Sequence, residues 1–309
     1  MRPSSARPSV AWSLELSAVG LLKAGSATAR LLPQLPAGTR IYLPALPAEP
    51  PTAIEEALRL LQRENAALVP VPHIPATRVA STAALERRLA AWQRASADSV
   101  REALVVRGDA SAVHSTEDDT AAAPWRAPGA FSTSLELLET GALQRCGIEA
   151  VGLCGHPEGV GGLSPGAARS ALAAKLRWAD ASGVRARVVT QFCFSPGAAT
   201  GFVDALRADG LGVDVSMGIV GPSSLKLRER MAERCGVAAP ASPDDAPFLR
   251  QLAEWHAARA PDGGLQALHL YPFGGLAPTL RWLRDFADEF GDAMPLEPPP
   301  PRAEADGAL

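Results

Sequence analysis

Several short stretches of this chain carry side chains suited to acid–base work or to holding a polar ligand. Glu15 closes Val10-Ala11-Trp12-Ser13-Leu14-Glu15, and His73 sits between Pro72 and Ile74. Arg107, Gly108 and Asp109 follow Leu104-Val105-Val106. His156 and Glu158 lie in Gly155-His156-Pro157-Glu158-Gly159, Gln191 follows Val188-Val189-Thr190, and Tyr271 ends Leu268-His269-Leu270-Tyr271. A carboxyl group whose pKa is raised by an apolar surrounding can act as a general acid near neutral pH. A guanidinium recognises anionic oxygens, and a side-chain amide offers both a donor and an acceptor. The set thus suits a polar, partly anionic ligand with one acid or base beside it.

Other chemistries lack support. There is no nucleophile elbow and no Ser/His/Asp pattern in a usual context. The carboxylates are not clustered as a magnesium site requires. The four cysteines, Cys146, Cys154, Cys193 and Cys235, form no Cys-x-x-Cys pair and no zinc spacing. They read as reduced structural thiols, and no metal site is expected. Each candidate also has a plain structural reading. Glu15 can be a rim ion-pair partner, and Arg107-Gly108-Asp109 a turn with a local pair. His73 can be a hydrogen-bonded core histidine, Gln191 a partner for buried backbone, and Lys175 a solvated helix lysine. Which reading holds depends on the elements that position these residues.

Those elements alternate. Val10–Leu16 reads as a strand, followed by a helix over Ser26–Leu35, then a strand over Thr39–Pro44. Thr52 with Glu55 forms a capping box for a helix to Asn65. Ala67–Ile74 is a third strand, with prolines that mark it as short or irregular. A helix to Ala97 and a strand over 102–109 follow. Residues 110–130 form a long Ala/Ser/Asp/Pro segment, and a helix starts at Ser132. The stretch from Gly147 to Phe194 reads strand, polar glycine loop, alanine-rich helix, strand. Helix and strand alternate again through Pro196–Ala208, Gly212–Ile219, a helix through Cys235, and one more helix. The last strand is Leu265–Tyr271, with a final helix to Phe290. About eight strands, each followed by a helix, predict one closed parallel (β/α)8 TIM barrel over residues 10–292. Residues 1–9 and 293–309 read as disordered tails. No Gly-x-Gly-x-x-Gly follows the first strand, which argues against a dinucleotide-binding open sheet. In a barrel, strand C-termini gather at one mouth, and Glu15, His73, Arg107, Asp109, His156, Glu158, Gln191 and Tyr271 all fall there.

The net charge of −3 over 309 residues gives no electrostatic reason for a nucleic-acid or membrane partner. No apolar run reaches the ~18 residues of a membrane span, and Trp12-Ser13-Leu14-Glu15 is not a signal-peptide core. The expectation is a cytoplasmic protein, compatible with a homo-oligomer.

Taken together and in order, these stretches resemble methylenetetrahydrofolate reductase, a flavin-dependent barrel enzyme of one-carbon metabolism. The resemblance spans residues 10–290. It rests on Ser13-Leu14-Glu15, Pro72-His73-Ile74, Val105-Val106-Arg107-Gly108-Asp109, Gly155-His156-Pro157-Glu158-Gly159, Val189-Thr190-Gln191-Phe192 and Leu268-His269-Leu270-Tyr271. It implies a bound FAD, reduced by NADH or NADPH, that passes hydride to the methylene carbon of a folate substrate, or the reverse reaction. It further implies that Glu15 helps protonate the folate, its pKa raised by desolvation. Asp109 would lie beside flavin and substrate, and Gln191 would orient folate and nicotinamide in turn. His73, Arg107, Gly108, Asp109, Phe131, Ser132, His156 and Lys175 would hold the flavin. The chain departs from the family pattern at Pro44, at Val160-Gly161-Gly162, at Leu225 and at Pro272-Phe273-Gly274-Gly275. A second reading is a catalytically weak paralogue that binds flavin or folate as a sensor or partner subunit. A third is a corrinoid or folate methyltransferase-like barrel without flavin.

Overall fold

The computed structural model describes residues 10–46, 49–50, 52–108, 129–160, 163–240, 242, 245–259, 264–291 and 293–297. Asp109, Gly161 and Gly162 therefore lie outside the described residues, as do residues 1–9 and 298–309. The elements run β1 (Ala11–Glu15), α1 (Ala18–Leu22), β2 (Arg40–Leu43), α2 (Ala53–Glu64), β3 (Val69–Pro75), α3 (Thr82–Ala95), β4 (Glu102–Val106), α4 (Ser134–Glu139) and α5 (Ala142–Arg145). They continue with β5 (Ala150–Gly155), α6 (Pro165–Ala181), β6 (Arg185–Thr190), α7 (Pro196–Ala208), β7 (Asp214–Val220), α8 (Leu225–Cys235), α9 (Ala246–Arg259), β8 (Ala267–Tyr271) and α10 (Leu276–Phe290). The eight strands pair in chain order and close into a barrel. Every pairing is parallel, and closure is made by β1 with β8 in the register Ser13↔His269 and Leu14↔Leu270. The fold is the (β/α)8 TIM barrel that the alternation predicts.

The strand period of two divides the residues between two layers. Leu14, Ile41, Ile74, Val105, Val151, Val188, Met217 and Leu268 are fully buried in the main core shared with the helices. Tyr42, Val69, Val71, Leu104 and Val189 form a separate apolar cluster inside the barrel. At its N-terminal end the barrel interior is closed by charge. Glu102 Oε2 lies 2.9 Å from Arg40 Nε and 3.3 Å from Arg187 Nη2. The small hydroxyl residues before the helices act as caps. Ser81, Thr133, Ser164, Ser195 and Ser224 each accept from a backbone amide in the first turn, a bond worth about 1 kcal/mol apiece.

Four local expectations are corrected. Thr52 does not form the capping box with Glu55. Its own backbone is helical (φ −83, ψ −12), so the hydroxyl cannot turn back to the helix amides. It donates instead to Glu56 Oε1 at 3.0 Å. The helix expected over Ser26–Leu35 is a 3-10 segment, Ala29–Gln34, with Pro33 inside it, and α1 precedes it. The third strand is neither short nor irregular: β3 has seven residues, all buried. Val69 donates to the Thr39 carbonyl on the β2 side, so alternation turns the positions of Pro70 and Pro72 toward β4. Pairing with β4 begins only at His73↔Leu104, and no donor is missed there. Finally, the barrel does not end at residue 292. Met294 is fully buried, and Val10 exchanges hydrogen bonds with Pro295 and Glu297.

Candidate active site at the barrel mouth

Side chains on alternate positions of β1, β2, β3, β6 and β8 meet inside the mouth. β1 contributes Ser13 and Glu15, β3 contributes His73, and β8 contributes His269 and Tyr271. Glu15 Oε2 lies 3.6 Å from His73 Nε2 and 3.5 Å from His269 Nε2. Both of those ring nitrogens are buried and have no closer partner. Tyr42 stands edge-on to both imidazoles, with ring centroids 6.2 Å from His73 and 4.6 Å from His269. Tyr271 packs edge-on against His269 from the other side at 4.8 Å. On the far side of its ring, His269 Nδ1 is 2.9 Å from Ser13 Oγ.

Electrostatics follows from this geometry. Burial pushes the Glu15 pKa up, as the sequence reading expects. The His269 contact and the charges of His73 and His269 outweigh it and hold the group below the ordinary carboxyl value. The expectation of a raised Glu15 pKa is therefore corrected, because the mouth is lined by imidazoles as well as apolar groups. Desolvation takes His73 down to about 4, more than Glu15 restores. At neutral pH the centre is thus a carboxylate beside a neutral His73. Burial also takes Tyr42 up to about 12 and keeps Tyr271 well above its usual value, so both phenols stay protonated.

Gln191 is placed by an irregular end of β6. The β6–β7 register stops at Val189↔Ser216. Beyond it, the Thr190 hydroxyl accepts from the Gly218 amide at 2.8 Å. The Thr190 carbonyl accepts from the Tyr271 hydroxyl at 3.1 Å. Gln191 follows directly, and its Oε1 accepts from the Phe192 amide at 3.0 Å. Phe192 then packs edge-on against Tyr271 at 5.3 Å and Phe273 at 5.4 Å. The Pro272-Phe273 substitution for a polar run thus extends an aromatic wall.

Of the other residues assigned to a flavin, Asp109 lies outside the described residues. Arg107 is exposed, and its carbonyl accepts from the Thr77 amide at 3.0 Å. Gly108 has φ +88, and a Cβ there would lie 2.4 Å from Thr77 Oγ1, so no other residue fits this close approach. Phe131 is half-buried against the core. Ser132 is exposed, its amide donating to Glu136 Oε2 at 2.7 Å. Desolvation takes the half-buried His156 down to about 4, with Lys175 adding to the effect. Burial also lowers the Lys175 pKa, and this amine makes no ion pair among the described residues. Cys154, which feels both Lys175 and Glu15, is raised to about 11 by burial and stays a thiol. Glu158 leaves the set: its Oε2 accepts from the Ala238 amide at 2.7 Å, tying the loop after β5 to the segment after α8.

The structure therefore brings Glu15 and His73 into one cluster, with Gln191 directly after β6, His156 directly after β5, and Lys175 on α6 near enough to affect His156 and Cys154. Sequence reasoning missed Ser13, Tyr42 and His269 as site residues. The signal was present: Ser13 shares the inward face with Glu15, and His269 shares it with Tyr271. Among the described residues no group of three or more His, Cys, Asp or Glu is placed to hold a metal ion. No helix among them is long and apolar enough to cross a membrane.

No family model matches this chain. Among solved structures, dihydropteroate synthase from Xanthomonas albilineans, in complex with indole-2-carboxylic acid and 6-chloroguanine, is similar with 15% identity and TM-score 0.47, covering 92% of this chain and 93% of that one. Dihydropteroate synthase from Thermus thermophilus is similar with 15% identity and TM-score 0.45, covering 91% and 94%. The enzyme from Yersinia pestis, with a pterine-sulfa conjugate, gives 12% identity and TM-score 0.45 over 92% and 94%.

Proposed function

We propose that this barrel is a flavin-dependent oxidoreductase of one-carbon metabolism, resembling methylenetetrahydrofolate reductase. It interconverts 5,10-methylenetetrahydrofolate and 5-methyltetrahydrofolate. The observation that carries the reading is the Glu15 carboxylate set between two buried imidazoles at the strand ends where the resemblance puts the acid.

The residues fit the cofactor. Lys175 is a half-buried cation without an anionic partner among the described residues, which suits a diphosphate. Gly108 turns the chain tightly against Thr77 at the end of β4, and His73, His156 and Phe131 offer ring faces and edges. Asp109 is assigned to the same site from its place in the motif. Bound FAD would supply the hydride chemistry, with NADH or NADPH as the donor that reduces it.

The chain's own groups handle the proton. In the reducing direction Glu15, ionised at neutral pH, first takes up a proton from solvent and passes it to the folate nitrogen that leaves. The bond between that nitrogen and the methylene carbon breaks. The lone pair of the remaining nitrogen completes a cationic C=N. The Glu15 carboxylate then faces a positive charge, which it stabilises in a partly desolvated mouth. In the oxidising direction the same carboxylate accepts the proton. Gln191, whose Oε1 accepts from the Phe192 amide, is assigned from the resemblance to orient folate and nicotinamide in turn, its NH2 group serving as the donor.

The test begins with colour. The purified protein, reconstituted with FAD, should absorb in the blue, and anaerobic 5-methyltetrahydrofolate or a reduced nicotinamide should bleach that band. A protein that stays colourless after reconstitution sinks both this reading and the sensor alternative. A coloured protein that no folate bleaches or reoxidises favours the sensor, for which the changed loop at Val160 and the apolar Phe273 already speak.

A further inference from the structure

We infer that α8 is a strap laid across the aromatic wall of the mouth, and that Glu158 is the latch that holds its far end. α8 is an addition to the barrel plan. β7 leads into it, yet α9 follows before β8 and buries Leu249, Leu252, Ala253 and His256. The sequence of α8 gives it only a narrow inward stripe. Arg228, Met231, Ala232 and Cys235 recur at helical spacing on one face, while Lys226, Glu229, Arg230, Glu233 and Arg234 are exposed. Of the stripe, Arg228 and Ala232 are buried, and Met231 and Cys235 are half-buried. α2, by contrast, buries Ala53, Ile54, Ala57, Leu58, Leu60 and Leu61. A helix with so little apolar footing lifts at lower cost than the barrel it rests on.

Beneath the stripe lies the aromatic wall. Met231, Cys235 and Val237 pack against Phe192, Val220 and Tyr271, with Phe194 and Phe273 beside them. The two ends of α8 are held differently. At its start Arg228 Nε donates to Ser223 Oγ at 3.1 Å, and its guanidinium pairs with Asp245. That side chain is almost fully buried, so this end is the pivot. At the other end Gly236, with φ +64, closes the helix. Two residues on, the Ala238 amide donates to Glu158 Oε2 at 2.7 Å. Ala238 is exposed, so water can replace this bond when it breaks. Glu158 itself sits on a well-braced turn. The Gly159 amide donates to the His156 carbonyl at 3.1 Å, and Val160 and Leu163 exchange hydrogen bonds just beyond. A Cβ at Gly159 would lie 2.4 Å from the Leu163 carbonyl oxygen, so the turn packs as closely as backbone allows. Releasing the latch lets the far end of α8 rise from this fixed point. The Phe192, Tyr271 and Phe273 rings then lose their cover next to Gln191, and a flat ring can enter against them.

The latch stands apart from the folate reading, and only the identity of the ring it admits rests on that reading. Two experiments separate the claims. The first uses Cys235, on the underside of α8, as the reporter. Its alkylation by N-ethylmaleimide is followed in the full chain, with peptide mass spectrometry separating it from Cys146, Cys154 and Cys193. Glu158→Ala removes the acceptor and should speed Cys235 labelling roughly ten-fold, as the loss of one hydrogen bond to a charged group predicts. Glu158→Gln loses the charge but keeps an oxygen for the Ala238 amide, so it should recover most of the protection. Met231→Ala thins the footing without touching the latch and should also speed labelling. An unchanged Cys235 rate in Glu158→Ala overturns the proposal. So does a Glu158→Gln rate as fast as that of Glu158→Ala, since the effect would then be one of charge. A rise in labelling fully matched by the fall in the urea midpoint means opening of the whole chain, and overturns it too. If Glu158→Ala does not fold, Met231→Ala and Glu158→Gln decide by the same readings. The second experiment times binding and release of 5-methyltetrahydrofolate by the FAD-loaded protein in stopped flow. Glu158→Ala should raise both rates and leave Kd nearly unchanged, as expected of a gate. A faster release with a matching rise in Kd means that Glu158 shapes the site rather than its entrance, and overturns the gating role. Absence of folate binding in the native chain sinks the folate reading alone, and the labelling result still decides the strap.

Discussion

Gly218 presses its α-carbon against the turned peptide of Thr190. A Cβ at Gly218 would lie 2.6 Å from the Thr190 carbonyl oxygen and 2.8 Å from the Gln191 carbonyl carbon. The same glycine donates its amide to the Thr190 hydroxyl at 2.8 Å. β7 therefore sets the position of Gln191 through a contact that only glycine permits.

Gly218→Ala should push the end of β6 outward, since the obstructing atoms are backbone and cannot rotate away. Overpacking of this kind costs about 1–3 kcal/mol. A fall in the denaturant midpoint should accompany a rise in KM for the folate and nicotinamide that Gln191 is proposed to orient. An unchanged midpoint would mean that the β6 end is free to yield.

Glu15→Gln keeps the shape of the mouth but removes the proton carrier and the negative charge. Reduction of bound flavin by nicotinamide should stay near the native rate. Folate turnover should fall by about 100-fold to 10,000-fold, the usual range for a lost general acid or base. Stopped-flow measurement of the two half-reactions decides this, and equal losses would contradict the assignment.

His73 should make the protein sensitive to acid. Its pKa in the fold is about 4 against 6.5 for a free histidine, so the unfolded chain takes up the proton first. Stability then falls as pH drops through the window from 6.5 to 4, by on the order of 3 kcal/mol for this group. Glu15 works in the same direction lower down, because its depressed pKa means that stability is lost only as the carboxylate is protonated. His73→Asn should flatten the stability curve between pH 6.5 and 4, read from urea midpoints across pH. His156, also at about 4, should supply the remaining slope.

Glu102 holds two arginines at the floor of the barrel. Glu102→Gln would remove the carboxylate that both Arg40 and Arg187 contact, leaving only the more distant charge of Asp214 to act on Arg40. Breaking one side of a buried pair costs about 3–5 kcal/mol. Thermal unfolding should show the loss at neutral pH, while the joint replacement of all three by apolar residues of similar volume should recover much of it.

Lys175→Met removes a half-buried amine that has no ion pair among the described residues. FAD affinity should weaken by roughly ten-fold, about 1.4 kcal/mol, in a fluorescence-quenching titration. The thermal midpoint of the flavin-free protein should not fall, since burial already disfavours this charge. A lower midpoint with unchanged FAD affinity would assign Lys175 a structural role.

The sequence by itself determined the architecture. Alternating strand and helix patterns are local, with periods of two and 3.6 residues, and eight repeats of that unit leave a closed parallel barrel as the compact solution. The same local rules placed Glu15, His73, Gln191 and Tyr271 at strand ends. They also misjudged Thr52, whose capping depends on one backbone angle, and β3, whose prolines are harmless only because β4 pairs late. What the tertiary structure alone decided is the electrostatics of the mouth. Ser13 and His269 are 256 residues apart in the chain and become neighbours only when β8 closes on β1. A pKa is set by whatever lies within a few ångströms in space. No reading of the Glu15 neighbourhood along the chain could show that two imidazoles would override its burial.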